Sequence, residues 1–341
     1  MSHPQTNIIN FSAVAAQAQV LPSPMPTLFR LLNVTHHQVK ATHCQYSATL
    51  YNEACTIRVC WSRYRPDSRL KDGLLVSPRG LELSNHSGWA YKISGLSVRT
   101  MPSPDENLFH TIPASWVDDR EVVQQAAALS DALSKPYRHL FNAIFWDGER
   151  FRRFCIGPSS MQNHHAEING NLRHCVETAR RLQRDCADLA DLLDPGFCIL
   201  LGLLHDAGKA DEYQLSSNGQ WIMTDRGSLL GHKVTITEWI AIAKDVHGVD
   251  LHEDSYLALQ HCLNSAQNAP QWLGVRESVM LEAFLLSGHD RTSGKLDMFR
   301  RLAPPANRGW GCRHVHMKYR PYFLGVAPAE NVGQSLQTSN L

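Results

Sequence analysis

The stretch LLGLLHDAGKADEY, residues 200–213, ends an apolar run that starts at Phe197 with an adjacent His205–Asp206 pair, followed by Gly208 and Lys209. An apolar run of this length with no polar face reads as a helix buried on every side. Placing a carboxylate at the end of such a helix is costly unless it is paired, hydrogen-bonded or bound to a metal. The chain must therefore fold so that other polar groups meet His205 and Asp206. Either the pair is a structural knot or it holds an ion.

Other histidines and acids recur where helices begin or end. NHHAEINGNLRHCVE carries His164, His165 and His174, LLGHK carries His232, LQHC carries His261, and LSGHDRTSGKLD carries His289 and Asp290. A single His on an apolar face is more often a satisfied core residue than a ligand. The ordered set His, His-Asp, His, Asp is harder to explain that way, because imidazoles and carboxylates from separate helices are a common way to build a metal site in a bundle.

At 341 residues the chain is long for one core, which favours two domains. Hydrophobic residues at 43% and charged residues at 19% describe an ordinary globular protein. No apolar run is long enough to span a bilayer, and no basic segment followed by an apolar one opens the sequence, so no membrane or secretory role is expected. Nine scattered Cys without a CxxC pair read as reduced, mostly buried thiols of a cytoplasmic protein. The net charge of +1 hides an asymmetry: residues 1–100 carry ten Lys/Arg against four acids, about +6, leaving about −5 for the rest. A basic first domain suits a polyanion grip, although solvated surface charge explains the same numbers.

The expected architecture is α+β and multidomain. Residues 1–27, poor in charge and containing PSPMP, read as a flexible leader. Residues 28–100 alternate in the β manner and hold about five short strands, which fits a small β-barrel of the OB type. In that stretch Tyr46, Tyr51, Trp61, Tyr64, Trp89 and Tyr91 interleave with Arg58, Arg63 and Arg65. Exposed, Trp61 and its neighbours beside these arginines would form a base-stacking platform for single-stranded RNA or DNA. Buried, they would fill the barrel. Residues 101–116 are a Pro-rich linker, residues 117–325 read as an all-α helical bundle, and 326–341 as a disordered tail.

The order His174, His205-Asp206, Asp290 resembles the HD superfamily of metal-dependent phosphohydrolases, a helical bundle in which H…HD…D binds a divalent metal. Within it the chain resembles the YhaM-type 3′–5′ exoribonucleases, which join an N-terminal OB domain to an HD domain. The resemblance runs over roughly 110–297. HHAEINGNLRHCVETA is similar to that group's HHA-x3-G-x-L-x-H signature, LLHDAGK to its LLHDIGK, LLGH to its glycine-histidine segment, and HDRTSGKLDMF to its D-x2-D-A-K segment.

The resemblance implies that His174, His205, Asp206 and Asp290 are ligands of a divalent metal such as Mn²⁺ or Mg²⁺, with Asp206 able to bridge two ions. It implies that His232 binds a second ion or the scissile phosphate, that Lys209 stabilises phosphate charge, and that His164 and His165 line the mouth of the site. A divalent ion lowers the pKa of bound water and neutralises phosphate charge, which explains these residue types. Two departures stand out. The family's His-His pair has no counterpart in NSAQNAP, where His261 is the nearest candidate, and Ser293 replaces the second acid of the Asp segment while Lys295 is kept. They leave open one metal, a weakly held second metal, or lost hydrolysis.

The expected function is thus a metal-dependent phosphodiesterase of single-stranded nucleic acid, a 3′–5′ exonuclease. NHHAEINGNLRH is also similar to the HD-type relaxase domain of conjugative elements (the MobH group, with its TraI-like domain), which would nick plasmid transfer DNA at one sequence. A third reading is a non-catalytic nucleic-acid-binding protein with a degenerate HD domain. RNA versus DNA, the metal and the assembly state, a homo-oligomer included, stay open at this stage.

Overall fold

A computed structural model describes residues 21–40, 42–83, 91–162, 164–270, 272, 274–315 and 317–325. Trp89, the leader as far as residue 20 and the expected tail from 326 lie outside the described residues. The chain divides into two compact units, one drawn from the residues up to Ile156 with Val234–Leu257, the other from Gly157–Lys233 with Ala258 onward.

The first unit is built on a seven-stranded sheet of β1 (Phe29–Lys40), β2 (His43–Asn52), β3 (Cys55–Arg63), β4 (Leu75–Arg79), β5 (Glu82–Leu83), β6 (Tyr91–Lys92) and β7 (Gly95–Val98). Its order is β5-β6-β3-β2-β1-β4-β7, with β3 and β6 parallel and the other pairs antiparallel. The sheet is a curled half-barrel, compatible with the OB-like domain expected. Period-two alternation sets its buried face: Cys44, Tyr46, Ala48 and Leu50 of β2 and Cys55, Ile57, Val59 and Trp61 of β3 all point into the core. Leu21 and Met25, from the expected leader, also pack against this core.

The same alternation overturns one expectation. Trp61 is 1% exposed and stacks on Tyr46, with ring centroids 5.1 Å apart, so its ring fills the core and is not open to a base. Tyr91 is buried as well, and Tyr64 is exposed.

The expected linker is packed. Its 3₁₀ turn Leu108–Thr111 buries Leu108 and Phe109, and Thr111 receives the buried Arg30 guanidinium through Oγ1 at 2.7 Å. Helices α1 (Arg120–Asp131), α2 (Lys135–Phe145) and α3 (Gly148–Ile156) follow in this unit, the first capped by Asp119 and the second opened by Pro136.

The second unit begins with α4 (Gly170–Asp188) and α5 (Pro195–Leu204). The Asp194 carboxylate caps α5 by accepting the N–H groups of Gly196 and Phe197, and Pro195 opens the helix. Next in the chain come α6 (Lys209–Glu212), a hairpin of β8 (Tyr213–Leu215) and β9 (Trp221–Met223), then α7 (Asp225–Leu229), α8 (Gly231–Val246), which belongs to the first unit from Val234 on, α9 (Glu253–Asn264), which returns to the second unit at Ala258, α10 (Leu281–Leu302) and a short pair, β10 (Gly309–Trp310) with β11 (Tyr322–Phe323). The helical region is therefore not all-α. The β8–β9 hairpin turns at Asn218-Gly219, with Gly219 at φ +78°, a conformation that favours glycine. None of the nine cysteines forms a disulfide, and all but Cys312 are buried. Among the described residues no helix is long and apolar enough to cross a membrane.

Candidate metal centre

Close packing of α4 against α5 creates the site. A Cβ at Gly202 would lie 2.5 Å from the Ala179 Cα of α4, so only glycine lets the two helices approach this closely. The approach sets His205, at the C-terminal end of α5, beside His174 of α4 with their Nε2 atoms 3.1 Å apart. Gly208 plays a similar part on the other flank, where a Cβ would collide with the His232 carbonyl oxygen at 2.1 Å.

His174, His205, Asp206 and Asp290 place one ligand atom each within 4.8 Å of one another, and the first three are buried. His174 Nε2 lies 3.1 Å from Asp290 Oδ1 and 3.3 Å from Asp206 Oδ2, and His205 Nε2 lies 3.7 Å from Asp206 Oδ2. His232 Nε2 approaches the other Asp206 oxygen, Oδ1, at 3.4 Å.

The far side of each ring fixes its proton. His205 Nδ1 sits 2.8 Å from the Gly202 carbonyl, which can only accept. His232 Nδ1 sits 2.8 Å from the Glu212 carboxylate. His174 Nδ1 is 3.1 Å from Ser293 Oγ, and that hydroxyl spends its single hydrogen on Glu177 Oε2 at 2.9 Å, so it accepts from the imidazole. Each Nδ1 thus faces an acceptor and holds a proton, so all three rings turn Nε2 toward Asp206, and in the metal-free protein His174 also carries a proton on Nε2, shared with Asp206 and Asp290. Imidazole nitrogens and carboxylates converging in a buried space need positive charge among them, a proton on His174 or a metal ion in its place. Three nitrogens and two carboxylates are a donor set suited to a divalent transition metal, and the residues present fit one.

The protonation energetics follow from the same crowding. Burial opposes charge on His174, yet its hydrogen bonds with Asp206 and Asp290 carry the imidazole up to about 9. Burial holds His205 below the usual histidine range. Burial also opposes charge on Asp206, but Lys209, His205 and His174 hold its carboxylate well below the usual range. Lys209 Nζ is 2.5 Å from Asp206 Oδ2 and 3.3 Å from Ser159 Oγ, and Asp206 keeps the buried ammonium charged.

The remaining expected residues fall in different places. The His164 ring is part-buried, its centroid 5.4 Å from that of His174. His165 does not line a mouth: it is 1% exposed and lies behind His174, its Nε2 3.3 Å from Ser293 Oγ, and burial lowers it to about 4. His261 does not replace the missing pair, because its Nε2 accepts the Val279 N–H. His289 pairs with Asp185 at 2.5 Å, away from the cluster. On the sheet, Arg58 and Arg65 are exposed, while Arg63 is tied to Asp67, whose carboxyl is lowered to about 2 chiefly by the Arg69 hydrogen bond. Sequence reasoning missed Ser159, Glu177 and Glu212, and read Ser293 only as a loss. A cavity of about 310 Å³ opens beside the cluster, reaching His205, Asp206, His232 and Asp290, with Arg291 and Lys233 also on its wall.

These features define a class: a chain with a curled sheet and a helical unit that presents a buried His/Asp cluster able to hold a metal ion. Comparison with known proteins narrows it. The chain is similar to the 3′-5′ exoribonuclease YhaM of Bacillus licheniformis, 31% identical over 151 residues that cover 44% of this chain and 46% of that protein. It is 28% identical over 205 residues to the YhaM of Bacillus pumilus, covering 60% and 59%, and 30% identical over 145 residues to that of Bacillus subtilis, covering 42% and 44%. The chain is YhaM-like in sequence, and the matches span about half the length of those relatives. No protein-family model matches the chain, and no solved structure matches it significantly.

Proposed function

We propose that this chain is a metal-dependent 3′–5′ exonuclease of single-stranded RNA, with residues 117–325 an HD-type helical domain and residues 28–100 an OB-like domain that guides the strand. One observation carries the reading: three imidazole Nε2 atoms converge on the Asp206 carboxylate, beside Asp290 and an open cavity. The activity named for the relatives, 3′-5′ exoribonuclease, favours the exonuclease over the relaxase, and RNA over DNA.

In this reading His174, His205, Asp206 and Asp290 hold a divalent ion such as Mn²⁺ or Mg²⁺, and His232 reaches the same carboxylate from the cavity side. The ion supplies a water of lowered pKa and neutralises phosphate charge. Lys209 offsets the Asp206 charge and brings a cation next to the phosphate. Gly202 O, Glu212 and Ser293 hold the three rings in the required tautomer. His164 flanks the entrance, and the exposed Arg58 and Arg65 bind the backbone of the incoming strand.

Single-stranded RNA carrying a 5′ label, with its 3′ end either free or chemically blocked, tests this beside DNA of the same sequence. Stepwise shortening of the free RNA, slowed by the block and weaker on DNA, is expected. Cleavage at one internal sequence of DNA would return the relaxase reading, and strand binding without cleavage under any divalent metal would return the non-catalytic one.

A further inference from the structure

A second group of ligand-type atoms lies apart from the centre described above. His165, Glu167 and Asp297 also offer one ligand atom each within 4.8 Å of one another. His165 is the informative member. Ser293 donates its hydrogen to Glu177, so at its 3.3 Å contact with His165 Nε2 it can only accept. The His165 proton is therefore on Nε2, which leaves Nδ1 a bare lone pair.

That lone pair is buried and has no hydrogen-bond partner. It faces Glu167 Oε1 at 3.8 Å, another acceptor. The chain goes to some length to hold the ring there. His165 sits at φ +47°, its N–H donates to Asp297 Oδ2 at 3.0 Å, and its carbonyl accepts the Ser159 N–H at 2.8 Å. A fixed, buried acceptor aimed at a carboxylate calls for a cation between them.

The donors present are one imidazole nitrogen and two carboxylates, a mixed set suited to a borderline divalent ion such as Mn²⁺ or Zn²⁺. Arg173 already contacts Glu167 Oε1, and Arg301 contacts Asp297 Oδ2, each at 2.9 Å. Each carboxylate keeps a second oxygen, but the two guanidiniums offset part of the negative charge. An ion here is consequently held more weakly than one among His174, His205, Asp206 and Asp290.

We propose that His165, Glu167 and Asp297 form a second, weaker divalent-cation site, linked to the first through the Ser293 hydroxyl that contacts both His165 and His174. Occupancy of the second site locks His165 as a donor to that hydroxyl, which steadies the ring orientation of His174.

Equilibrium dialysis of the full chain against Mn²⁺, with metal analysis, tests the assignment. The wild type should bind a tight and a weak ion per chain. Glu167→Gln should raise the weak dissociation constant about tenfold or more and leave the tight one, which fills first, unchanged, whereas Asp206→Asn should abolish the tight one. Glu167 is 42% exposed, and its isosteric change should leave the melting temperature of the metal-free protein within a degree or so. A wild type that binds one ion only, lost in Asp206→Asn, would overturn the second site and spare the first. So would a weak constant that neither Glu167→Gln nor Asp297→Asn shifts, since a water would then satisfy His165 Nδ1.

Discussion

Ser293→Ala probes the arrangement at its least obvious point. The Ser293 hydroxyl is fully buried, accepts from His174 Nδ1 and His165 Nε2 at 3.1 and 3.3 Å, and donates to Glu177 at 2.9 Å. Its removal leaves two buried imidazole N–H groups without an acceptor, each costing about 1–3 kcal/mol. Partial relaxation leaves a destabilisation of about 2–4 kcal/mol for the pair, within the range expected when a buried hydrogen-bond network is broken. It also frees His174 to move its proton to Nε2, which removes a metal-binding lone pair. Loss of such an orienting group lowers metal affinity about 10–100-fold, which is about 1.4–2.7 kcal/mol. Titration calorimetry with Mn²⁺ on the wild type, Ser293→Ala and Thr292→Ala measures this directly. Thr292 is exposed and its hydroxyl donates only to Gly288 O within α10, so its variant serves as the control. Wild-type Mn²⁺ affinity in Ser293→Ala would refute the claim that this hydroxyl sets the His174 tautomer.

Gly202→Ala drives a methyl into the α4 backbone at Ala179 and should cost about 1–3 kcal/mol, with a lower melting temperature and weaker metal binding measured together. Glu212→Gln can rotate its amide to offer a donor and release the His232 tautomer. RNA cleavage should fall about tenfold or more with RNA affinity nearly unchanged, and an unchanged rate would remove His232 from the centre. In the presence of a chelator, the His174 imidazole is raised from 6.5 to about 9 by Asp206 and Asp290 against the opposing effect of burial. This pairing stabilises the folded state fully below pH 6.5 and is lost as pH rises through 9. The chelated wild type should therefore melt at falling temperature from pH 6.5 to 9, and His174→Gln should flatten that fall. A wild-type melting temperature with no slope attributable to His174 would contradict the pairing.

The clustered His and Asp residues were legible because each carries a local signal. FCILLGLLHD announces a buried helix ending in two polar groups, and NLRHC puts His174 in the opening turn of an amphipathic one. The supporting groups were not legible for a physical reason. Ser293 meets His174 across 119 positions and Glu212 meets His232 across 20, so their roles exist only after folding. Other features were readable in principle. Tyr46, Ala48 and Leu50 share a parity on β2, as do Ile57, Val59 and Trp61 on β3, and strict alternation places Trp61 with the core and Arg58 on the opposite face. Asn218-Gly219 between YQL and WIM is a hairpin signal inside an otherwise helical region. His165 was misplaced because adjacency to His164 suggested a shared direction, whereas its left-handed backbone turns the ring inward.

The central claim is that His174, His205, Asp206 and Asp290 hold an ion needed for RNA cleavage. Its most direct test is the cleavage rate of 5′-labelled single-stranded RNA by the full chain, measured after chelation and again after Mn²⁺ is restored, with Asp206→Asn in parallel. The account predicts activity abolished by the chelator, recovered with Mn²⁺ in the wild type, and absent from Asp206→Asn at every Mn²⁺ concentration. Undiminished cleavage by chelated wild type, or by a folded Asp206→Asn chain, would contradict it.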